Sequence, residues 1–388
     1  MTNTKIGAIR AALACATMLA GGIVAVAPSA AQTTTSAVRG RVTTAAGQPA
    51  AGATVTATST GTNRRLTTTA DAAGNFSFSG LVPGEYRFEA SAGGEAVATR
   101  ATVAVGRVGT LNLTLAAASA ETVAPGPATE SNGDEIVVTA GTLVESRTSE
   151  VATNISQQQI RSLPQTDRNF LSFAALAPGV QYIDSETNKG IQSGASTRAG
   201  VNVFIDGVSL KNNVLDGGIA GQQDSRGNPF GQLAVQEFRV LTQNYKAEYE
   251  QASAAIVTAI TKSGTNEFHG EAFGAYTDRS LSAKSILDKR AGRPEPVFER
   301  KQYGVSLGGP IIKDKLFFFG AYEGNDQDRA FNVELGNRTP ENIAAFGQFE
   351  GSFVSPFRAD LYFGKLTFTP DDAQTFDLSY NKRIETDI

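Results

Sequence analysis

"KQYGVSLGGPII", Lys301–Ile312, alternates along its length: Tyr303, Val305, Leu307 and Ile311 fall on one side of an extended chain, and Gln302, Gly304, Ser306 and Gly308 on the other. A period of two residues is that of a β-strand with one oily and one wet side. "DLYFGKLTFTP" (Asp360–Pro370) repeats it, with Tyr362, Leu366 and Phe368 opposing Lys365 and Thr367, and in "TFDLSYN" (Thr375–Asn381) Phe376, Leu378 and Tyr380 oppose Thr375, Asp377, Ser379 and Asn381. A soluble sandwich can alternate in the same way, so the connections decide. Strands near Phe268–Thr277 and Lys301–Ile312 are separated by roughly 23 residues, the next pair by "KDK", the next by some 35 residues and the last by about "PDDA". Long and short alternate, as in outer-membrane β-barrels, whose strands run about 9–11 residues and carry aromatic girdles. The rings of "LFFFGAYEG" (Leu316–Gly324) suit a girdle or a lipid face.

Upstream, "KSGTNEFHGEAF" (Lys262–Phe273) marks a change of texture and holds the single histidine, His269. Before it, from Thr142 to about Thr265, the text is mixed α+β. Asn154 and Ser156 are candidate helix caps, Asp206-Gly207 in "VNVFIDGVSL" is a hairpin signal, and strands are expected around Phe238–Thr242 and Ala255–Thr261. Gly264 and Asn266 read as the turn of the junction.

Residues 38–115 are dense in Val, Thr and Phe between regular turn signals such as "DAAGNF" and "LVPGEY", and "ATVTATST", "NFSFSG" and "YRFEAS" alternate as half-buried strands of a small sandwich do. The run Ala116–Asp134, rich in Ala, Pro, Ser and Gly, then reads as an extended linker. It ends in a short apolar island, "DEIVVTAG". From chemistry alone this island is either an edge strand offered to a partner's sheet or the first strand of the next domain.

The chain opens with Lys5 and Arg10, the apolar run "AALACATMLAGGIVAVA" and "PSAAQ", where Ser29 and Ala31 are the small residues of a cleavage site, so a signal peptide is expected with cleavage between Ala31 and Gln32. The one cysteine, Cys15, lies inside that leader, and Ala12 stands where a lipoprotein signal wants Leu. The exported chain therefore has no thiol with which to form disulfides. A net charge of −4 with no basic patch speaks against a nucleic-acid partner. Forty glycines and 22 phenylalanines, against two methionines and no tryptophan, lean toward β-structure. His269 has no nucleophile partner at a fixed spacing and Asp206 is explained by its turn, so no enzymatic constellation, cofactor site or metal site is read.

In residues 38–115 the pattern of Gly40 with Val42, Gly47–Val55, Asp71–Phe76 and Leu81–Tyr86 resembles the carboxypeptidase-regulatory-like, transthyretin-type β-sandwich. "DEIVVTA", "NVFIDGV", "VQEFRVLTQNYKAEYEQASAAIVTAITKSGTNEFHG" and "RKQYGVSLGGPIIKDKLFFFGAYEG" resemble TonB-dependent outer-membrane receptors, in particular the Oar-like branch that carries such a sandwich ahead of the plug. The resemblance implies a mostly β chain: signal peptide 1–31, sandwich 36–116, linker 117–133, TonB box 134–140, α+β plug 141–265, and from 266 to 388 the start of an antiparallel barrel. It implies that Asp134, Glu135, Ile136, Val137, Val138, Thr139 and Ala140 dock as an added strand on periplasmic TonB. TonB and its inner-membrane energising complex would then remodel the plug and let an unidentified ligand cross the outer membrane. It puts His269 at the periplasmic rim.

Two departures stand out. "YEQASAAIV" has Glu250 and Ala254-Ala255 where the family's plug carries Tyr-Gly and Gly-Gly pairs. About five strands fit before Ile388, whereas the family's barrels have about 22. An open edge in lipid costs several kcal/mol per unpaired backbone group, so the chain is expected to be a fragment or truncated product that does not transport alone. The competing functional reading is a cell-surface adhesion or signalling protein without transport.

Overall fold

The computed structural model describes residues 35–117, 139–140, 148–184, 189–212, 214, 225–281, 283–284, 286–290, 292 and 297–387. The expected leader with Ala31 and Gln32, nearly all of the linker, and Asp134–Val138 lie outside the described residues.

The N-terminal unit is a two-sheet sandwich. Its strands are β1 (Ser36–Thr43), β2 (Thr54–Ser59), β3 (Arg65–Thr69), β4 (Asn75–Leu81), β5 (Gly84–Ala92), β6 (Glu95–Val103), β7 (Val108–Thr110), β8 (Leu113–Thr114) and β9 (Ala116–Ala117). One sheet runs β4-β1-β7 with β8 also on β1; the other runs β6-β5-β2-β3 with β9 also on β6. The alternating residues meet between the sheets: Val38, Val42, Val55, Ala57, Phe76, Phe78, Tyr86 and Phe88 form one closed apolar cluster. The turn residues have specific tasks. The Asp71 carboxylate accepts backbone N–H bonds from Ala73 (2.9 Å) and Asn75 (2.8 Å), and the Asn75 N–H above all holds its pKa below the ordinary carboxylate value. Gly40 is required because a Cβ there would lie 1.6 Å from the Leu111 carbonyl oxygen. Tyr86 donates to the Val82 carbonyl at 2.9 Å and closes the corner into β5.

A short strand, β10 (Thr139–Ala140), pairs in parallel with Arg100–Ala101 of β6. The middle unit follows: β11 (Val151–Ile155), helix α1 (Gln157–Ser162), β12 (Val180–Ile183), β13 (Gly190–Ser193), β14 (Val201–Ile205), β15 (Val208–Ser209), β16 (Val235–Gln243) and β17 (Ala255–Thr261). Its main sheet has the order β11-β16-β17-β14-β15, with β14 parallel to β17. Ser156 caps α1 in a capping box with Gln159. Asn154, read as a second candidate cap, instead sits within β11 opposite Arg239, because the ladder to β16 already uses its backbone as strand. Asp206 and Gly207, at φ 49° and 82°, make the β14–β15 hairpin turn.

The C-terminal unit is a five-stranded antiparallel meander: β18 (His269–Asp278), β19 (Phe298–Ile312), β20 (Leu316–Val333), β21 (Gly351–Phe368) and β22 (Phe376–Asp387), each paired to its sequence neighbour. Two short helices, α2 (Ile286–Arg290) and α3 (Pro340–Phe346), ride on its longer connections. Long and tight connections do alternate, but the lengths differ from the sequence reading. β20 and β21 are 18 residues each, paired without a break from Leu316↔Phe368 to Val333↔Gly351. The expected loop of some 35 residues therefore shrinks to 334–350. Its ends are strand, even though Pro356 and the run of Asn, Asp and Gln at 325–328 look like loop.

Candidate functional site

The two faces of the C-terminal sheet have opposite surroundings. On β19, Tyr303, Val305 and Leu307 are 40%, 55% and 51% exposed, whereas Gln302 and Ser306 are 7% and 9% exposed. On β21, Tyr362, Leu366 and Phe368 are likewise open while Lys365 and Thr367 are buried. On β19 and β21 the oily face is bare and the wet face is covered, the reverse of an ordinary soluble sheet, while on β22 both faces are exposed from Phe376 to Lys382. What covers the wet face is the middle unit.

The contact combines an apolar patch with buried charge. Phe319 and Phe363 of the sheet belong to the same buried cluster as Phe170, Val203, Phe230 and Phe238 of the middle unit, and Phe230 meets Phe363 edge-on at 5.3 Å. Around that patch, Lys365 donates to the Thr261 hydroxyl at 3.1 Å and pairs with Asp206 at 3.4 Å. Asp206 also accepts the Thr261 backbone N–H at 2.9 Å. Its carboxylate therefore ties the hairpin turn to the sheet. Glu323 on β20 accepts the backbone N–H of Leu233. Arg226 pairs with Asp387 and donates to Ser355, and Arg168 lies over the Phe273 ring at 3.5 Å. Behind this surface, Lys189 and Asp167 form a buried pair at 2.9 Å, and the Asp167 carbonyl accepts from Gln302 at 3.1 Å.

The junction between the two units is fastened from both sides. Lys262 donates its backbone N–H to Ala234 at 2.8 Å and reaches Glu271 at 3.3 Å, where Arg161 also lies at 2.9 Å. Burial lowers the Lys262 pKa, and Glu271 opposes that shift. Gly264 is not the turn former the sequence suggested. A Cβ there would lie 2.3 Å from the Phe318 carbonyl oxygen and 2.6 Å from that of Gly309, so glycine is needed for close passage over β19 and β20. Asn266 does serve a turn, that of Lys313–Lys315: its side chain exchanges bonds with Asp314 at 2.6 and 2.8 Å. His269 is exposed, lies 3.3 Å from the Thr265 hydroxyl and stacks beside Phe319.

Glu323 and Arg226 were not singled out from sequence, and Lys365 was read only as a wet-side residue of its strand. The available signal was a charge on the wet side of an otherwise small or polar alternation, as in "YFGKLTF" and "GAYEG". Of the predicted box residues, Thr139 and Ala140 are described, as β10. Among the described residues no group of three or more His, Cys, Asp or Glu side chains is arranged to hold a metal ion.

Known proteins resemble the chain in segments. Residues 260–386 match the family described as "Outer membrane beta barrel domain", and residues 37–116 match "Carboxypeptidase regulatory-like domain". The barrel-domain match, preceded in the chain by the carboxypeptidase regulatory-like match, places this segment in the outer membrane of a Gram-negative cell. The chain is similar to the TonB-dependent transporter Oar of Myxococcus xanthus, at 28% identity over 290 residues, 71% of this chain and 25% of the relative. It thus spans about a quarter of the curated relative it matches. Among solved structures, the siderophore receptor PirA of Acinetobacter baumannii is similar at 21% identity and TM-score 0.42 (61% of this chain, 32% of that one). The outer membrane transporter YddB of Escherichia coli is similar at 15% and 0.47 (61% and 33%).

Proposed function

We propose that the chain works as part of a TonB-dependent outer-membrane transporter. In this reading the C-terminal sheet is a stretch of barrel wall and the middle unit is the plug seated against the wall's inner side. Asp134–Ala140 is the TonB box, and the leader is removed between Ala31 and Gln32. The observation that carries the reading is the inverted sheet: a bare apolar face is stable in lipid, and a polar face fastened by ion pairs is what a plug inside a barrel provides. Force delivered through TonB from the proton gradient would act on the box and shift the plug, and the buried charges at Lys365, Arg226 and Glu323 give that contact discrete bonds to break and remake.

The test uses the full-length receptor in intact cells. A cysteine at Val137 is paired with single-cysteine variants of TonB, and the same receptor without the Val137 substitution serves as the control for native thiols. Specific disulfide trapping that disappears when residues 134–140 are moved or scrambled is the expected result. Absence of trapping at every TonB position, together with an unchanged surface phenotype on deleting 134–140, would refute the TonB reading and favour the adhesion or signalling alternative.

A further inference from the structure

The sandwich does not hang free of the rest. Three of its loops reach the middle unit and the C-terminal sheet. The loop between β2 and β3 lies on the turn end of the sheet. The Gly61 carbonyl accepts the Asn266 backbone N–H at 2.8 Å, and Asn63 donates to the same Asp314 carboxylate that Asn266 holds, at 3.0 Å. Arg64 and the backbone N–H of Arg65 bond to Asp372, in the next tight turn, at 2.9 and 3.1 Å. The loop after β6 lies on β16. The Val105 backbone N–H donates to the Glu237 carboxylate at 2.6 Å, and Arg239, almost fully buried, donates to the Gly106 carbonyl while its other nitrogen pairs with Glu150 at 3.0 Å. Gln236 adds a bond to the Pro83 carbonyl at 3.3 Å.

One domain therefore touches the middle unit, the junction segment and two turns of the sheet. The bonds that cross this contact are hydrogen bonds. The sandwich core and the core shared by the middle unit and the sheet are separate clusters, with no residue in common. A polar interface between two self-contained cores can open without unfolding either of them. We propose that the β-sandwich is a releasable clasp over the turn side of the molecule: docked, it holds the middle unit and the sheet turns in fixed relation, and it lets go before the middle unit moves against the sheet. The docking half of this proposal rests on the contacts alone; the release half rests on the transporter reading above.

A disulfide tests the two halves separately. A Cβ at Gly61 would lie 3.7 Å from the Thr265 Cβ, within the 3.5–4.5 Å that a disulfide spans. Gly61→Cys with Thr265→Cys is made in the full-length protein in outer membranes, with a protease site inserted in the linker at 118–133. After cleavage, the sandwich is expected to stay attached on non-reducing gels and to come off on reduction. The control pair Ala45→Cys with Thr265→Cys, at another exposed turn of the sandwich, is expected not to link. If the 61–265 pair does not link above the control, the docking is overturned, whatever TonB does. For release, TonB trapping at Val137 is replaced by plug mobility, read as labelling of a buried middle-unit position with and without an active proton gradient. Gradient-dependent labelling that disappears in the oxidised protein and returns on reduction is the expected result. Equal labelling in both states shows a permanent mount and overturns the clasp. No gradient dependence even in the reduced protein counts against the transporter reading, and with it against the release half alone.

Discussion

The sandwich and the C-terminal sheet share one sequence rhythm and bury opposite halves of it. In the sandwich, the apolar members of each alternation, such as Val55, Phe76 and Phe88, close on one another, and the polar members meet water. In the sheet, the apolar members Val305, Leu307 and Leu378 lie bare while Gln302, Ser306 and Lys365 are covered by protein. A period of two says only that two faces differ; which face is inside depends on what packs there. In the sandwich that is a second sheet. In the C-terminal unit it is a domain that brings its own charges to meet those of the wall.

The contrast is broken most strongly at the charges. Lys189→Ala leaves Asp167 buried beneath β19 without its counter-ion, and losing one partner of a buried pair costs about 3–5 kcal/mol. The exposed Arg87–Glu89 pair of the sandwich, at 2.9 Å, is expected to be worth about 0–1 kcal/mol in the Arg87→Ala variant. Urea titration of both variants in refolded membranes checks the difference. The next effect is on the bare face. Val305→Arg puts a charge where the account has lipid, at a cost of about 2–4 kcal/mol near the midplane. Thr56→Arg on the outer side of a sandwich strand is expected to stay within about 0.5 kcal/mol. Yield of heat-modifiable protein in the outer membrane is the readout, and equal yields would remove the distinction between the faces.

The smallest effect concerns the docking of the sandwich onto the middle unit. Burial pushes the Glu237 carboxyl up to about 7 from an ordinary value of 4.5, with the Val105 N–H and the charge of Arg107 working against the rise. A raised carboxyl pKa means that the docked state holds a proton the undocked state gives up. Docking is then strongest below about 4.5 and weakens as pH climbs to about 7, with little further change above. Retention of the sandwich after linker cleavage should fall between pH 5 and pH 7 in the parent protein and stay flat in Glu237→Gln.

Much of the strand layout could be read from the text because alternation and tight turns are local. "KDK" is the turn after β19, Asp206-Gly207 is a hairpin, and Ala255–Thr261 is a strand as read. What could not be read is long-range. Asp206 and Lys365 lie 159 residues apart, and nothing local in either marks the other. Gly264 shows a related limit: its glycine is demanded by two carbonyls on strands that come later in the chain. The upper halves of β20 and β21 were hidden for another reason. Outside an apolar environment a paired strand can carry Asn, Asp and Pro, so composition ceased to signal strand while the ladder continued.

The central claim, that one face of β19 meets lipid and the other meets protein, is tested most directly by spin labels on adjacent residues of the full-length protein in outer-membrane vesicles. Val305→Cys and Ser306→Cys are labelled and their collision rates with oxygen and with a polar nickel chelate are compared. The account predicts that the label at 305 collides readily with oxygen and hardly with the chelate, and that the label at 306 is shielded from both. A label at 305 reached freely by the polar chelate would contradict it, and would return this sheet to the class of soluble sandwiches whose rhythm it shares.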